Sequence, residues 1–183
     1  MFKFNAKTIS RIGILAALYV LLNLVSIKAG NIRITFASLP VVTSALLFGP
    51  EEAMLTALLG EFCNQLLTYG LTATTVLWLI PPAVRGLVVG LAAVRAWKGQ
   101  RPLESRPAAC YAVCFAGAVA TTLSNTAALA ADALIGGYYS RTVVFAQLGS
   151  RLISGLVVAG VIATVAMPLA VLLRRQGFVR RAA

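Results

Sequence analysis

Residues 76–94 read VLWLIPPAVRGLVVGLAAV, a run of nineteen positions in which Arg85 is the single ionisable residue. A run of about 20 mainly apolar residues is long enough for a helix to cross the hydrocarbon core of a bilayer. Pro81 and Pro82 interrupt the run and remove two backbone hydrogen-bond donors, which a membrane helix tolerates only against protein or a water-filled cavity. The run therefore predicts a transmembrane helix that packs inside a larger bundle.

The rest of the chain has the same apolar character. Of its 183 residues, 60% are hydrophobic and 11% are charged, whereas a soluble domain has about 45–50% apolar and about 25% charged residues. This composition excludes a soluble enzyme. We expect a single all-α transmembrane domain over residues 1–183, with six spans at residues 9–27, 36–48, 53–69, 76–94, 108–134 and 142–173.

The charge of the chain is strongly positive, with 16 Lys and Arg against 5 Asp and Glu and a net charge of +11. Such an excess in a soluble protein would suggest nucleic acid. Here most of the charge flanks the apolar runs, so we expect contact with anionic membrane lipid and no nucleic-acid binding. Six spans with a cytoplasmic amino terminus leave only Lys28, Arg33 and Arg141 outside, and the positive-inside rule therefore predicts that both termini are cytoplasmic.

The residue types that catalysis and metal binding need are missing from the sequence. It has no histidine, no Gly-Lys-Ser or Gly-Lys-Thr loop to hold phosphates, and no Ser/His or paired-Asp arrangement. Cys63, Cys110 and Cys114 are odd in number and lie in apolar stretches, so we expect neither a disulfide framework nor a metal site. We predict that the chain is not an enzyme, has no cofactor and does not hydrolyse ATP itself.

Three ionisable residues fall within the predicted spans: Glu61, Arg85 and Arg151. An ionisable group at the bilayer centre costs about 2.5–3.5 kcal/mol on insertion scales, so each one is expected to be paired or functional. Glu61 and Arg85 fall at similar predicted depths, and two interpretations stay open for them: an ion pair that fixes two helices, or direct contact with a ligand. An anionic ligand group would suit Arg151.

Polar and aromatic residues gather at this depth and above it. Amide side chains and flat rings suit a small organic solute, although the aromatic residues fit the interfacial belt of a membrane protein equally well. The candidate substrate-binding residues are Lys28, Arg33, Asn64, Tyr69, Trp78, Asn125 and Arg151.

Small residues form two candidate contact faces on helices. Gly13, Ala16 and Ala17 lie along the first span, and Gly86 and Gly90 are spaced as G-x-x-x-G in the fourth. Either face allows another helix to approach closely. Packing within the bundle and docking of a partner both remain open for each face.

Several stretches of the sequence are similar to one known family. Residues 31–40 read NIRITFASLP, residues 45–50 read ALLFGP, and residues 79–91 read LIPPAVRGLVVGL. They resemble the second and fourth helices of S components, the substrate-binding subunits of energy-coupling factor (ECF) transporters, and the similarity is closest to the folate-like group. Arg151 matches an arginine found early in the sixth helix of that group.

The resemblance implies a subunit of a prokaryotic cell membrane that captures a vitamin outside the cell. Such a subunit works with a separate module, made of a transmembrane scaffold subunit and two ATPase subunits. In the family, a small-residue face on the first helix, typically Ala-x-x-x-Ala, docks on the scaffold, and Gly13 and Ala17 match its spacing. The loop between the first two helices acts as a lid, and residues 28–36 match it. The expected substrate is a folate-like or another anionic vitamin.

A hypothesis from a different class is a self-sufficient secondary transporter that is coupled to protons, with Glu61 as the titrating group. A chain of 183 residues without an inverted repeat would have to work as a dimer. Uptake that needs an ATPase module excludes this carrier, and uptake without the module favours it.

Overall fold

The computed structural model describes residues 5–29, 32–99, 101–146 and 148–177. A two-stranded antiparallel hairpin, β1 (Ile27–Ala29) and β2 (Ile32–Ile34), joins the first two helices. A short 3-10 turn, Leu103–Ser105, precedes the fifth helix. The helices are α1 (Ala6–Leu24), α2 (Ser38–Phe48), α3 (Pro50–Thr68), α4 (Thr75–Lys98), α5 (Pro107–Ile135), α6 (Arg141–Phe145) and α7 (Leu148–Arg175).

The helices begin where the sequence supplies the right chemistry. The side chain of Asn5 accepts a hydrogen bond from the backbone N–H of Thr8 at 2.9 Å and caps the start of α1. At the start of α3, Gly49 has φ +96°, Pro50 occupies the first turn, and two glutamates lie near the positive end of the helix dipole. Because these residues are helical themselves, α3 begins at Pro50, three residues before the predicted span.

Four helices of the described chain, α1, α4, α5 and α7, are long and apolar enough to cross a membrane. The prediction of a helical membrane bundle is therefore confirmed. The 11 residues of α2 are too few to cross a bilayer alone, and α3 carries three glutamates over 19 residues. The count of six spans and the orientation of the termini stay predictions.

Other boundaries of the approximate predicted spans also differ from those of the helices. The first span was expected to reach residue 27, but α1 ends at Leu24, because Ile27 already belongs to β1. The second helix begins at Ser38 and not at residue 36. The sixth predicted span, residues 142–173, is divided between α6 and α7. The sequence does mark the division, since Gln147, Ser150 and Arg151 interrupt the apolar run there, but they were placed within one span.

The G-x-x-x-G face of α4 packs within the bundle. A Cβ atom on Gly90 would lie 2.4 Å from the Cα of Pro50, and one on Gly86 would lie 3.0 Å from the backbone of Ala53. Glycine is needed at both positions because backbone meets backbone there. Of the two open interpretations, internal packing is the one that applies to this face.

Two ion pairs tie helix ends together. The guanidinium of Arg11 lies 3.0 Å from the carboxylate of Glu52. At the same end of the bundle, Arg174 approaches Glu104 at 2.6 Å and donates to the backbone carbonyl of Leu46. Charged side chains connect neighbouring elements at this end of the bundle. The opposite end is the one that is open to a ligand.

Candidate functional site

A cavity of about 750 Å³ opens at the end of the bundle where α3 ends and α4 begins. Small-molecule sites usually have volumes of roughly 300–1,000 Å³. The walls come from α1, α2, α3, α4, α5 and α7. The cavity meets the surface beside Tyr69, whose side chain is 63% exposed. Its size and position fit one small organic molecule.

The cavity reaches deep into the bundle. Thr72 and Asp132 line its outer part, whereas Arg85 lines the inner part, about 15 Å along α4 from the start of that helix. The hydroxyl of Tyr138 donates a hydrogen bond to Asp132, and this bond raises the pKa of Tyr138 above its usual value. Polar groups therefore occur at both ends of the cavity.

The carboxylate of Glu61 is held by three neutral donors. The hydroxyl of Tyr19 donates to Oε2 at 2.7 Å, while the side-chain amides of Gln65 and Asn64 donate to Oε1 at 2.7 and 3.2 Å. Glu61 is only 8% exposed. Hydrogen bonds to a charged group are stronger than neutral ones, so this set satisfies the carboxylate without a cation.

Of the two open interpretations for Glu61 and Arg85, the structure does not form the ion pair. In the described part of the chain, the ion pairs join Arg11 to Glu52 and Arg174 to Glu104. Arg85 instead donates from Nε to the hydroxyl of Thr121 at 3.1 Å. Equal depth in the membrane does not imply contact, because the hydrogen bond from Tyr19 turns Glu61 toward α1.

Most of the predicted site residues meet at this one cavity. Lys28 and Arg33 are paired in the backbone register of the hairpin, but their side chains lie outside the described part of the structure. Contact with a ligand stays a prediction for every residue of the set. The predicted residues that line the cavity are Glu61, Asn64, Tyr69, Trp78, Arg85, Asn125 and Arg151.

Sequence reasoning missed the contribution of α1 to the cavity. Tyr19 and Asn23 line it and lie one turn apart on the buried face of that helix. A signal was available in the sequence. Tyr19 and Asn23 repeat at helical spacing with Thr8 and Ile12, so polar side chains share one face of an otherwise apolar helix. Thr121 on α5 was missed too, although the polar residues Thr122 and Asn125 beside it gave a signal.

The small residues of α1 fall on two different faces. Ala16 is 4% exposed and points into the bundle, so its prediction as part of a docking face is wrong. Gly13 and Ala17 lie on the exposed side, and a Cβ on Gly13 would meet nothing within 4 Å. The exposed small face of α1 is therefore formed by Gly13 and Ala17.

The hydrogen bond between Tyr19 and Glu61 gives a first prediction. Tyr19→Phe keeps the ring against Gly60, where an added Cβ would lie 2.8 Å from the ring atoms, and removes only the hydroxyl. We expect a loss of about 1.5–3 kcal/mol in stability, or roughly 3–12 °C in the midpoint of thermal unfolding in detergent. Tyr111→Phe is the control, since its hydroxyl contacts Thr164 at an exposed site. Equal shifts of the unfolding midpoint in both variants would show that the hydrogen bond from Tyr19 to Glu61 does not stabilise the fold.

The sequence and the fold are similar to those of known proteins. A family model described as "ECF-type riboflavin transporter, S component" matches residues 3–175. No curated protein matches the sequence.

Three solved structures share the fold. ThiT from Listeria monocytogenes has a TM-score of 0.63 and 16% identity over 94% of this chain and 97% of that chain. An S component of a bacterial ECF transporter gives 0.58 and 15% identity, with 93% and 94% covered. The S component for biotin from an ECF-type ABC transporter gives 0.57 and 14% identity, with 91% and 94% covered. The family match spans nearly the whole chain, and the protein therefore belongs to the ECF-type riboflavin transporter S components.

Proposed function

We propose that this S component binds riboflavin, or a close flavin relative, in the 750 Å³ cavity and releases it inward when ATP-driven partners act on it. As a member of its family, the chain is a substrate-binding subunit of an ECF vitamin transporter and a multi-pass membrane protein, not an enzyme. The observation that carries the proposal is the cavity itself, with its aromatic, amide and hydroxyl lining.

The lining suits the two parts of a flavin. Riboflavin joins a flat heteroaromatic ring to a chain of hydroxyl groups. Tyr69 and Trp78 offer flat surface to the ring, and Asn64 and Asn125 would fix its orientation through hydrogen bonds. The threonine and carboxylate groups near the mouth would accept the hydroxyl chain.

A folate-like or another anionic vitamin is the second candidate. Arg85 and Arg151 both line the cavity and favour a negatively charged group. Lys28 and Arg33, in the hairpin that follows α1, would add to the attraction for such a group. Direct competition between a flavin and folate separates the two candidates.

The proposed partners are a transmembrane scaffold subunit and two ATPase subunits. The exposed face of Gly13 and Ala17 supports docking on the scaffold, because small residues allow close helix approach. In this arrangement residues 28–36 close over the cavity and both termini are cytoplasmic. Uptake in cells that lack the ATPase subunits would contradict this arrangement and favour the dimeric secondary transporter with Glu61 as its titrating group.

Equilibrium binding to the purified protein tests the substrate. We expect riboflavin to bind more tightly than folate or biotin, and Asn64→Ala combined with Arg151→Ala to weaken riboflavin binding roughly 30-fold, since two polar contacts are lost. Arg175→Ala, at the exposed end of α7, is the control and should bind like the wild type. Unchanged affinity in the double variant would remove the site assignment. Binding of folate in preference to riboflavin would support the second candidate instead.

A further inference from the structure

Arg85 is held at the inner end of the cavity by a contact to α5. Its Nε donates to the hydroxyl of Thr121 at 3.1 Å, and that hydroxyl donates in turn to the carbonyl of Gly117 at 2.6 Å. In the described part of the chain no carboxylate forms an ion pair with Arg85. A guanidinium carries five donors and no acceptor, so its two terminal nitrogens need acceptors from another source.

The side chain of Arg85 runs toward the mouth of the cavity. A Cβ on Gly117 would lie 3.7 Å from the Cγ of Arg85 and 3.2 Å from Val89, which is one turn deeper on α4. Thr121, which holds Nε, lies one turn beyond Gly117 along α5. Because α5 runs antiparallel to α4 here, the guanidinium is displaced toward the amino-terminal end of α4.

That direction brings the guanidinium toward a gap in the hydrogen bonds of α4. Pro81 and Pro82 have no N–H, so the carbonyls of Leu77 and Trp78 lose the donor that a helix normally provides four residues later. Trp78 and both prolines line the cavity. Carbonyls in a helix point toward its carboxyl end, so these two acceptors point toward Pro81 and Pro82, between the start of α4 and Arg85.

A wall with both donors and acceptors selects a ligand edge of complementary chemistry. We infer that Arg85 is a specificity-determining residue that binds the imide edge of a flat ring, in which two carbonyls flank one N–H. One ring carbonyl accepts from Arg85, and the neighbouring ring N–H donates to a carbonyl freed by Pro81 or Pro82. This inference rests on the proposed flavin function and deepens it, since the flavin ring has an imide edge and must then enter the cavity before the hydroxyl chain.

The same wall discriminates against a flat ring that has no carbonyl beside a ring N–H. Such a ring would leave the donors of Arg85 unpaired, and a site built to pair polar groups strongly rejects an analogue that leaves them unpaired. The pterin of folate has a carbonyl beside a ring N–H, so direct competition between the two ligands separates the flavin from the folate-like candidate.

Ligands that are modified at one end or the other show which part of the ligand contacts Arg85. The probes are riboflavin, lumiflavin, which keeps the ring without the hydroxyl chain, and N3-methylriboflavin, which lacks the imide hydrogen. We expect Arg85→Met to weaken riboflavin and lumiflavin by the same factor, roughly 10- to 100-fold. Methylation at N3 should weaken binding to the wild type by at least about tenfold. Thr121→Val, which removes the anchor of Arg85, should have a smaller effect of the same kind.

A stability measurement separates ligand contact from a structural role. Removing a cation that forms no ion pair in the described part of the chain should leave the melting temperature of the empty Arg85→Met variant unchanged or raised, while the shift caused by riboflavin is lost. Thr126→Val is the matched control, because Thr126 bonds back to its own helix in the same way and does not line the cavity.

Each part of the proposal has its own contradicting result. A lower melting temperature of the empty Arg85→Met variant, or riboflavin affinity equal to the wild type, would overturn the role of Arg85. Loss of riboflavin affinity with lumiflavin affinity retained would overturn the ring-first orientation. Wild-type protein that does not bind riboflavin would contradict the proposed function itself.

Discussion

Gly90→Leu is expected to prevent the protein from reaching its folded state. A Cβ at this position would lie 2.4 Å from the Cα and 2.5 Å from the nitrogen of Pro50, so the obstacle is backbone and no rotamer change relieves it. Overpacking a well-packed interior usually costs about 1–3 kcal/mol. Here α4 must move away from the start of α3, and we expect a loss beyond about 3 kcal/mol, or at least roughly 6–12 °C in thermal stability.

Size-exclusion chromatography and thermal unfolding in detergent measure this loss. We expect Gly90→Leu to yield aggregated protein or a strongly lowered melting temperature. Gly13→Leu is the matched control, because it makes the same change in a helix where an added Cβ meets nothing within 4 Å. If the two variants had equal stability, the close contact between α4 and α3 would not be the reason for glycine at position 90.

The sequence predicted the helices well because membrane helices can be recognised as long apolar runs. Residues 76–94, for example, lie wholly within α4. The signal fails between α6 and α7, where one predicted span included the polar residues Gln147, Ser150 and Arg151. The signal also fails at the hairpin. Ile27 belongs to a strand there, although as an apolar residue it extends the preceding apolar run. Hydropathy alone does not predict a backbone turn of this kind.

The sequence predicted which residues line the cavity but not which of them contact each other. Asn64, Trp78 and Arg151 stood out because polar and flat side chains are conspicuous in apolar spans, and all three line the cavity. The ion pair of Glu61 with Arg85, one of two open interpretations, does not form, because depth along a helix fixes one coordinate and leaves rotation about the axis open. That rotation depends on packing, and the contact of Tyr19 with Gly60 decides it here.

The largest functional effect is expected at the exposed small face of α1. Ala17→Leu combined with Gly13→Leu should reduce riboflavin uptake by at least about 100-fold, since bulky side chains keep a partner helix from close approach. Both residues lie on the exposed side of the helix, so the fold and the cavity should not change. Riboflavin affinity of the purified variant should stay within about twofold of the wild type, as expected for distant independent sites.

Ala116→Leu is the control that gives this prediction its force. Ala116 is also exposed on an apolar helix, but it lies on α5, away from the proposed docking face. Uptake of riboflavin in cells that contain the scaffold and ATPase subunits should therefore be normal for this variant. If both variants lost uptake equally, added bulk at the lipid boundary would be the cause and the docking face would be misassigned. If the α1 variant kept full uptake, the partner would contact another surface, because a helix contact that depends on small residues does not tolerate two added leucines.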